Sequence, residues 1–170
     1  MKRAGALVAI ASLPSPYGVG DFGPQAYDLV DTLARMKLKI WQVLPLNPLG
    51  YGNSPYQPYS SFAGDELYIS IDQLVADGLL DSSDVLEFKA NATVIDYQGA
   101  RLHKSVMLEK AFTNFAKNNQ LKLELDNFVA KTNWAYNYAV FVTLKKINQH
   151  QAWNLWPAEH KNWINDKKFD

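Results

Sequence analysis

The chain has 170 residues, 48% of them hydrophobic and 20% charged, which suits a globular domain. Seventeen basic residues balance seventeen acidic ones, so no net field draws the chain to nucleic acid or an anionic membrane, and a neutral ligand suits it better than a polyanion. There is no cysteine, which excludes disulfides, thiolate zinc sites and cysteine nucleophiles.

The first eleven residues have the outline of a signal peptide, but the apolar run is short and Ser12-Leu13-Pro14-Ser15-Pro16-Tyr17 offers no cleavage pattern. Residues 7–11 instead read as a first strand, continuous and apolar, as a strand buried on both faces should be. No run approaches the ~18 to 20 apolar residues needed to span a bilayer. Residues 12–21 are a loop, since two prolines and two glycines forbid regular structure there. A helix is predicted over 24–36, with Pro24 in its first turn and Ala26, Leu29, Val30, Leu33 and Ala34 on one stripe. Residues 40–46 are the second strand, ending at Pro45. Strand, helix and strand within about forty residues make a βαβ unit with a right-handed crossover, so the fold class is α/β.

Residues 47–65 follow as a long loop rich in Gly, Pro, Ser and Tyr. Loops this long inside a domain are usually functional or disordered, and the aromatic density argues against disorder. Residues 67–71 read as a short strand, and 72–78 as a short helix with Asp72 as its N-cap. After Leu80 the character becomes helical, over 82–90, 101–117 and 121–147. The middle segment carries Leu108, Ala111, Phe112, Phe115 and Ala116 on one stripe. The last stretch holds Trp153, Trp156 and Trp163 and runs out at Lys167-Lys168-Phe169-Asp170 without a packed ending. This divides the chain into 1–80, the βα units with the loop 47–65, and 81–170, a helical region.

Ligands of parallel α/β folds bind beyond the carboxyl ends of the strands, which is where the 47–65 loop lies. Its Tyr51-Gly52-Asn53-Ser54-Pro55-Tyr56-Gln57 combines aromatic faces with Ser, Asn and Gln. A sugar ring asks for both, because it has an apolar C–H face and a rim of hydroxyls. A packed aromatic loop that only caps the fold would show the same residue types. On those types alone the two readings stand even.

Three runs go further: Trp41-Gln42-Val43-Leu44-Pro45-Leu46, then Gly50-Tyr51-Gly52-Asn53-Ser54-Pro55-Tyr56-Gln57, then Phe62-Ala63-Gly64. With Ser12-Leu13-Pro14-Ser15-Pro16-Tyr17-Gly18-Val19-Gly20-Asp21-Phe22-Gly23 upstream, the sequence closely resembles the amylomaltase (disproportionating enzyme) family. Ile71-Asp72, Asp77-Gly78-Leu79-Leu80 and Trp153–Leu155 with Trp156-Pro157 continue the match in order. The resemblance implies the N-terminal part of a (β/α)8 TIM barrel with an inserted helical subdomain. It implies a cytoplasmic 4-alpha-glucanotransferase that moves α-1,4-glucan segments between maltooligosaccharides. The reaction would run by retaining double displacement through a covalent glycosyl-enzyme, with three carboxylates and neither metal nor other cofactor.

By the same resemblance Tyr56 stacks on the sugar next to the scissile bond, Ser54 faces the donor sugars, and Tyr51 offers a further glucan surface. Asn53 and Gln57 complete the polar rim. The family usually has Asp at the place of Asn53 and Ser at that of Pro58, so Asn53 cannot supply the negative charge Asp would. The first strand also lacks the His or Pro that members often carry.

No catalytic residue is expected in this chain, because the family's carboxylates belong to later barrel strands. The closest local acids, Asp65-Glu66 and Glu124/Asp126, do not suit a retaining pair, whose carboxyls sit ~5 to 5.5 Å apart across the substrate. Asp65 and Glu66 are neighbours expected to point apart, and Asp21 and Asp28 are expected near helix termini. His103, His150 and His160 lack metal spacing. Trp41, Trp153 and Trp156 are read as packing, and the Asn91-Ala92-Thr93 sequon as coincidental in a cytoplasmic protein. A barrel needs ~250 residues, so the 170-residue chain is expected to be a truncated piece, inactive and poorly stable by itself. The alternative function is a non-catalytic maltooligosaccharide-binding fragment, or a partner for a separately encoded remainder. A third, an α-amylase relative, is opposed by the Tyr51-to-Gln57 run.

Overall fold

Gly5–Leu7 (β1) and Ile40–Gln42 (β2) pair in parallel in the computed structural model, which describes residues 2–89 and 93–163. The register sets Gly5 against Ile40, Ala6 against Trp41 and Leu7 against Gln42. Lys39 N–H to Ala4 O (3.0 Å) and Val8 N–H to Gln42 O (3.0 Å) extend the pairing at both ends. The helix Pro24–Arg35 (α1) makes the crossover, with Pro24 in its first turn where no N–H is needed. The α/β expectation therefore holds as one βαβ unit. Asn91, Ala92 and residues 167–170 lie outside the described residues.

Both strands are shorter than the sequence suggests. Residues 10–12 turn into a 3-10 helix (Ile10–Ser12), and the chain after Gln42 leaves the ladder before Pro45. Leu7 and Ile40 are exposed, so the expectation of a strand buried on both faces fails for the two-stranded sheet. Among the described residues each strand has one neighbour, which leaves an open edge on both. Trp41 is half-buried, with its indole Nε1–H given to Val8 O at 2.9 Å. On α1 only Ala26 and Leu33 are buried, while Val30 and Ala34 of the expected stripe face outward.

The predicted strand at 67–71 is instead a 3-10 turn, Glu66–Tyr68, because Asp65 caps it by accepting from Leu67 N–H. The next helix, Ile71–Ala76 (α2), is capped by Ser70 and not by Asp72. The Ser70 hydroxyl accepts from Gln73 N–H, and Asp72 falls in the first turn. Of the predicted helix over 82–90, residues 82–89 are helical only over the 3-10 turn Ser82–Asp84, and residue 90 lies outside the described residues. The long helix Tyr97–Phe115 (α3) begins four residues before the predicted start, where Asp96 accepts from Gly99 N–H. Its buried face is Ala100, Lys104, Met107 and Ala111, and Phe112 of the expected stripe is exposed. The predicted helix over 121–147 is two helices, Asn119–Lys131 (α4) and Ala135–Ile147 (α5). The break carries neither Pro nor Gly, and Trp134 there meets Phe128 and Tyr138 edge to face. A last short helix is Ala158–Lys161 (α6).

The chain forms two compact units, Met1–Lys122 and Leu123–Asp170. In the first, one apolar cluster joins Ala11, Val19, Leu49, Leu67 and Ala100, and a second joins Tyr17, Ile71, Leu80, Met107 and Ala111. In the second unit Leu144, Trp156 and Trp163 form a core with Val140 and Phe141. Among the described residues no helix is long and apolar enough to cross a membrane.

Candidate functional site

The 47–65 loop is closed at its base and open at its tip. At the base, Asp65 N–H donates to Leu46 O at 2.9 Å and the Asn47 side-chain amide donates to Ala63 O at 3.1 Å. The Asp65 carboxylate then spans both ends. It accepts from Leu49 N–H (2.8 Å) at the start of the loop and from Leu67 N–H (2.9 Å) just after it. Pro48, Leu49, Ala63, Asp65 and Leu67 are buried, and Leu49 packs in the cluster with Val19 and Ala100. The loop thus rests on an apolar floor shared with the first loop and α3.

At the tip the backbone is tightly specified. Gly50 lies against the Gln57 carbonyl so closely that a Cβ at Gly50 would sit 1.8 Å from that oxygen. Asn53 N–H returns to Gly50 O (3.3 Å), and Gln57 N–H to Ser54 O (3.4 Å). Gly52 (φ 67°) and Asn53 (φ 56°) are both left-handed, a conformation that Gly and Asn tolerate best. The fold therefore gives Asn53 a backbone task.

The five sequence-predicted residues lie together in this one turn region. Tyr56 is 69% exposed, its ring lifted clear of the buried floor. Ser54 is half-buried and its Oγ accepts from Tyr56 N–H at 3.3 Å, which ties the hydroxyl to the backbone under the ring. Asn53 and Gln57 are exposed, and Tyr51 opens the 3-10 turn Tyr51–Asn53. Tyr59 and Phe62 add two further exposed aromatic side chains on the same loop, and the Ser60 hydroxyl accepts from both Phe62 and Ala63 N–H at 3.1 Å.

The neighbouring acids are committed. Arg101, on α3, holds Asp65 with two parallel bonds, Nη1 to Oδ1 at 3.1 Å and Nη2 to Oδ2 at 2.9 Å, and also pairs with Glu66. Asp65 and Glu66 therefore share one guanidinium and do not point apart. The Asp65 side chain is 0% exposed, and its oxygens are taken by two amides and Arg101. Burial pulls the Arg101 pKa down, but the two carboxylates outweigh it and hold the group above its ordinary value. Burial, with the Asp65 carboxylate behind it, pushes Tyr68 up to about 12 and raises Tyr97 as well. Asp21, expected near a helix terminus, does accept from Gly23 N–H (2.9 Å) at the N-cap of α1. It is also buried against Lys104.

Sequence reading missed Arg101 and Lys104, because isolated basic residues on a helix carry no signal of their partners. Glu124 and Asp126 are exposed on α4. Among the described residues no three His, Asp or Glu side chains converge where they could hold a metal ion. His103 bonds Leu86 O at 2.9 Å, and His160 meets Asn148. Trp156 and Trp163 are buried packing residues, whereas Trp153 is exposed.

A family model described as 4-alpha-glucanotransferase matches residues 8–169. The 4-alpha-glucanotransferase of Streptococcus pneumoniae serotype 4 is 38% identical over 159 residues, covering 92% of this chain and 31% of that protein. That of Thermus thermophilus is 37% identical over 160 residues, with 92% and 31% covered. Among solved structures, the amylomaltase from Streptococcus agalactiae in complex with acarbose superposes with a TM-score of 0.87 at 35% identity, covering 93% of this chain and 32% of that one. The chain spans about a third of the length of these relatives. With a family match running through nearly its whole length and the loop motif folded as one unit, the chain belongs to the 4-alpha-glucanotransferase family.

Proposed function

We propose that this chain carries the sugar-stacking wall of a 4-alpha-glucanotransferase, with Tyr56 as the stacking face and Ser54, Tyr51, Asn53 and Gln57 around it. The observation that carries the reading is the exposed Tyr56 ring on a loop whose base is buried and whose backbone is tightly bonded. A preset aromatic face meets a sugar's C–H face with little ordering cost, and nearby amide and hydroxyl groups answer the hydroxyl rim. The S. agalactiae amylomaltase is found with acarbose, and we extend that ligand, together with maltooligosaccharides, to this chain.

In the whole protein the reading includes a (β/α)8 barrel with β1, α1 and β2 at its start, helical insertions, and transfer of α-1,4-glucan segments by retaining double displacement. It needs no metal or other cofactor. Residues 1–80 would be the barrel's first βα units with the substrate loop, and 81–170 its helical insertion. The location would be cytoplasmic. For the 170 residues by themselves, the engagement of Asp65 and Glu66 by Arg101 favours a second reading, sugar binding without catalysis.

Calorimetric titration of the chain with maltoheptaose and acarbose tests the binding. The expected outcome is a measurable affinity that Tyr56→Ala weakens about ten-fold, the size of one lost aromatic contact. Equal affinity in the variant, or none in the parent, overturns it. Glucose release from maltotriose by the 170-residue chain would overturn binding without catalysis.

A further inference from the structure

The loop 47–65 begins and ends on one carboxylate, and that carboxylate is held from outside the loop. Asp65 Oδ2 accepts from Leu49 N–H at 2.8 Å and Asp65 Oδ1 from Leu67 N–H at 2.9 Å, so one rigid group sets the spacing of the two loop ends. Asp65 by itself could rotate about its side-chain bonds and trade one amide for the other. The guanidinium of Arg101 removes that freedom, because its planar fork meets both oxygens at once, at 3.1 and 2.9 Å. Arg101 stands on α3, two turns of which also supply Ala100 to the floor under Leu49 and the buried Lys104. Lys104 in turn donates to the carbonyls of Leu67 and Ile69, both at 2.7 Å, which pins the chain just past the loop. The segment that presents Tyr56 is thus referenced to α3 through one fully buried carboxylate.

From this we infer that Arg101 is a positioning residue for the sugar-facing loop: through its two-point hold on Asp65 it fixes the spacing of the loop ends, and so the pose of Tyr56. The inference rests on the reading of Tyr56 as the stacking face. Arg101 acts through Asp65 and not by contact with the sugar. Lysine cannot replace it, since a single ammonium meets one oxygen and leaves the carboxylate free to turn. The loop can then sample several poses, and sugar binding has to order it again.

The test compares the parent chain with Arg101→Lys, Asp65→Asn and Tyr56→Ala. Two measurements are made on each: hydrogen exchange at the Leu49, Gln57 and Leu67 amides against amides in the middle of α1, and affinity for maltoheptaose. The expected result for Arg101→Lys is faster exchange at the loop amides with α1 unchanged, and sugar affinity about ten-fold weaker. Asp65→Asn, which keeps the shape but gives up one acceptor and the ion pair, should show the same pattern. Retained loop protection in Arg101→Lys overturns the inference. So does faster loop exchange with undiminished affinity while Tyr56→Ala loses binding. If α1 exchange rises together with the loop, Arg101 supports the fold as a whole and the inference fails. Affinity that Tyr56→Ala leaves untouched sinks the stacking reading itself, and is told apart from the other failures by that variant.

Discussion

Lys104 and Asp21, 83 residues apart in sequence, meet at 2.9 Å with side chains only 1% and 3% exposed. The ammonium's three donors go to Asp21 and to the carbonyls of Leu67 and Ile69, and the other Asp21 oxygen accepts from Gly23 N–H. Every strong polar group in the cluster is matched, which is the condition for burying charge at all. The pair ties the loop before α1 to α3.

Removing one partner should therefore be far worse than removing both charges. Lys104→Met leaves the Asp21 carboxylate buried without its cation, and is expected to cost about 3–5 kcal/mol. Adding Asp21→Asn should restore a substantial part, because Asn still accepts from Gly23 N–H but brings no charge. Urea denaturation of the single and double variants checks this, and a double variant no more stable than Lys104→Met would refute it.

The same pair has a pH signature. Burial holds the Asp21 carboxyl above its ordinary 3.8, although Lys104 and Gly23 N–H pull it back, and burial holds Lys104 below its ordinary 10.5, although Asp21 pulls it up. The folded chain accordingly takes a proton at Asp21 more readily than the unfolded chain. That contribution to stability is fully present below pH 3.8 and is lost as pH rises through the raised folded value. Relative to Asp21→Asn, the parent should gain stability on acidification across that interval. Denaturation midpoints of both proteins from pH 7 downward measure the difference, and a relative loss would contradict the assignment.

At the alkaline end Tyr68 is the reporter. Burial, followed by the Asp65 carboxylate, raises it from 10.0 to about 12. A raised folded pKa means that its share of stability is intact below pH 10.0 and declines as pH climbs through about 12. Tyr17 and Tyr97 are raised by burial as well, so ultraviolet titration should show a late ionisation whose amplitude Tyr68→Phe reduces by one tyrosine. An undiminished late amplitude in the variant would contradict the assignment.

Gly50 tests the loop's shape independently of its aromatic face. A Cβ there would sit 1.8 Å from the Gln57 carbonyl oxygen, and backbone cannot step aside as a flexible side chain would. Gly50→Ala should displace the 50–57 turn, lower stability by about 1–3 kcal/mol, and weaken maltoheptaose binding while every residue proposed to face the sugar is still present. Thermal melting and calorimetry together check it. Unchanged binding would show that the turn geometry is irrelevant to the site.

Much of the local structure was legible in the sequence because its signals are local. Pro24 and the Ala26–Leu33 spacing mark α1, and the Gly, Pro and Ser content marks the 47–65 loop. The misreadings share a cause. Residues 67–71 are β-prone by composition, yet the Asp65 cap and the Lys104 bonds to the Leu67 and Ile69 carbonyls turn them into a 3-10 helix and an extended link. Periodicity runs straight through residues 132–134 because no Pro or Gly stands there; the break between α4 and α5 is marked by the Thr132 N–H to Val129 O and Ala135 N–H to Thr132 O bonds and by the aromatic contacts of Trp134.

What the sequence determined by itself was family membership, written in the run from Gly50 to Gln57 and its in-order neighbours, and the residue types of that turn. Only the tertiary structure decided that Tyr56 stands out from a buried floor, and that Asp65 is a clasp and not a free acid. Arg101 lies 36 residues beyond Asp65 and Lys104 lies 83 beyond Asp21. Pairings at that separation leave no periodic trace, because they depend on where the packed core sets α3 against the loops.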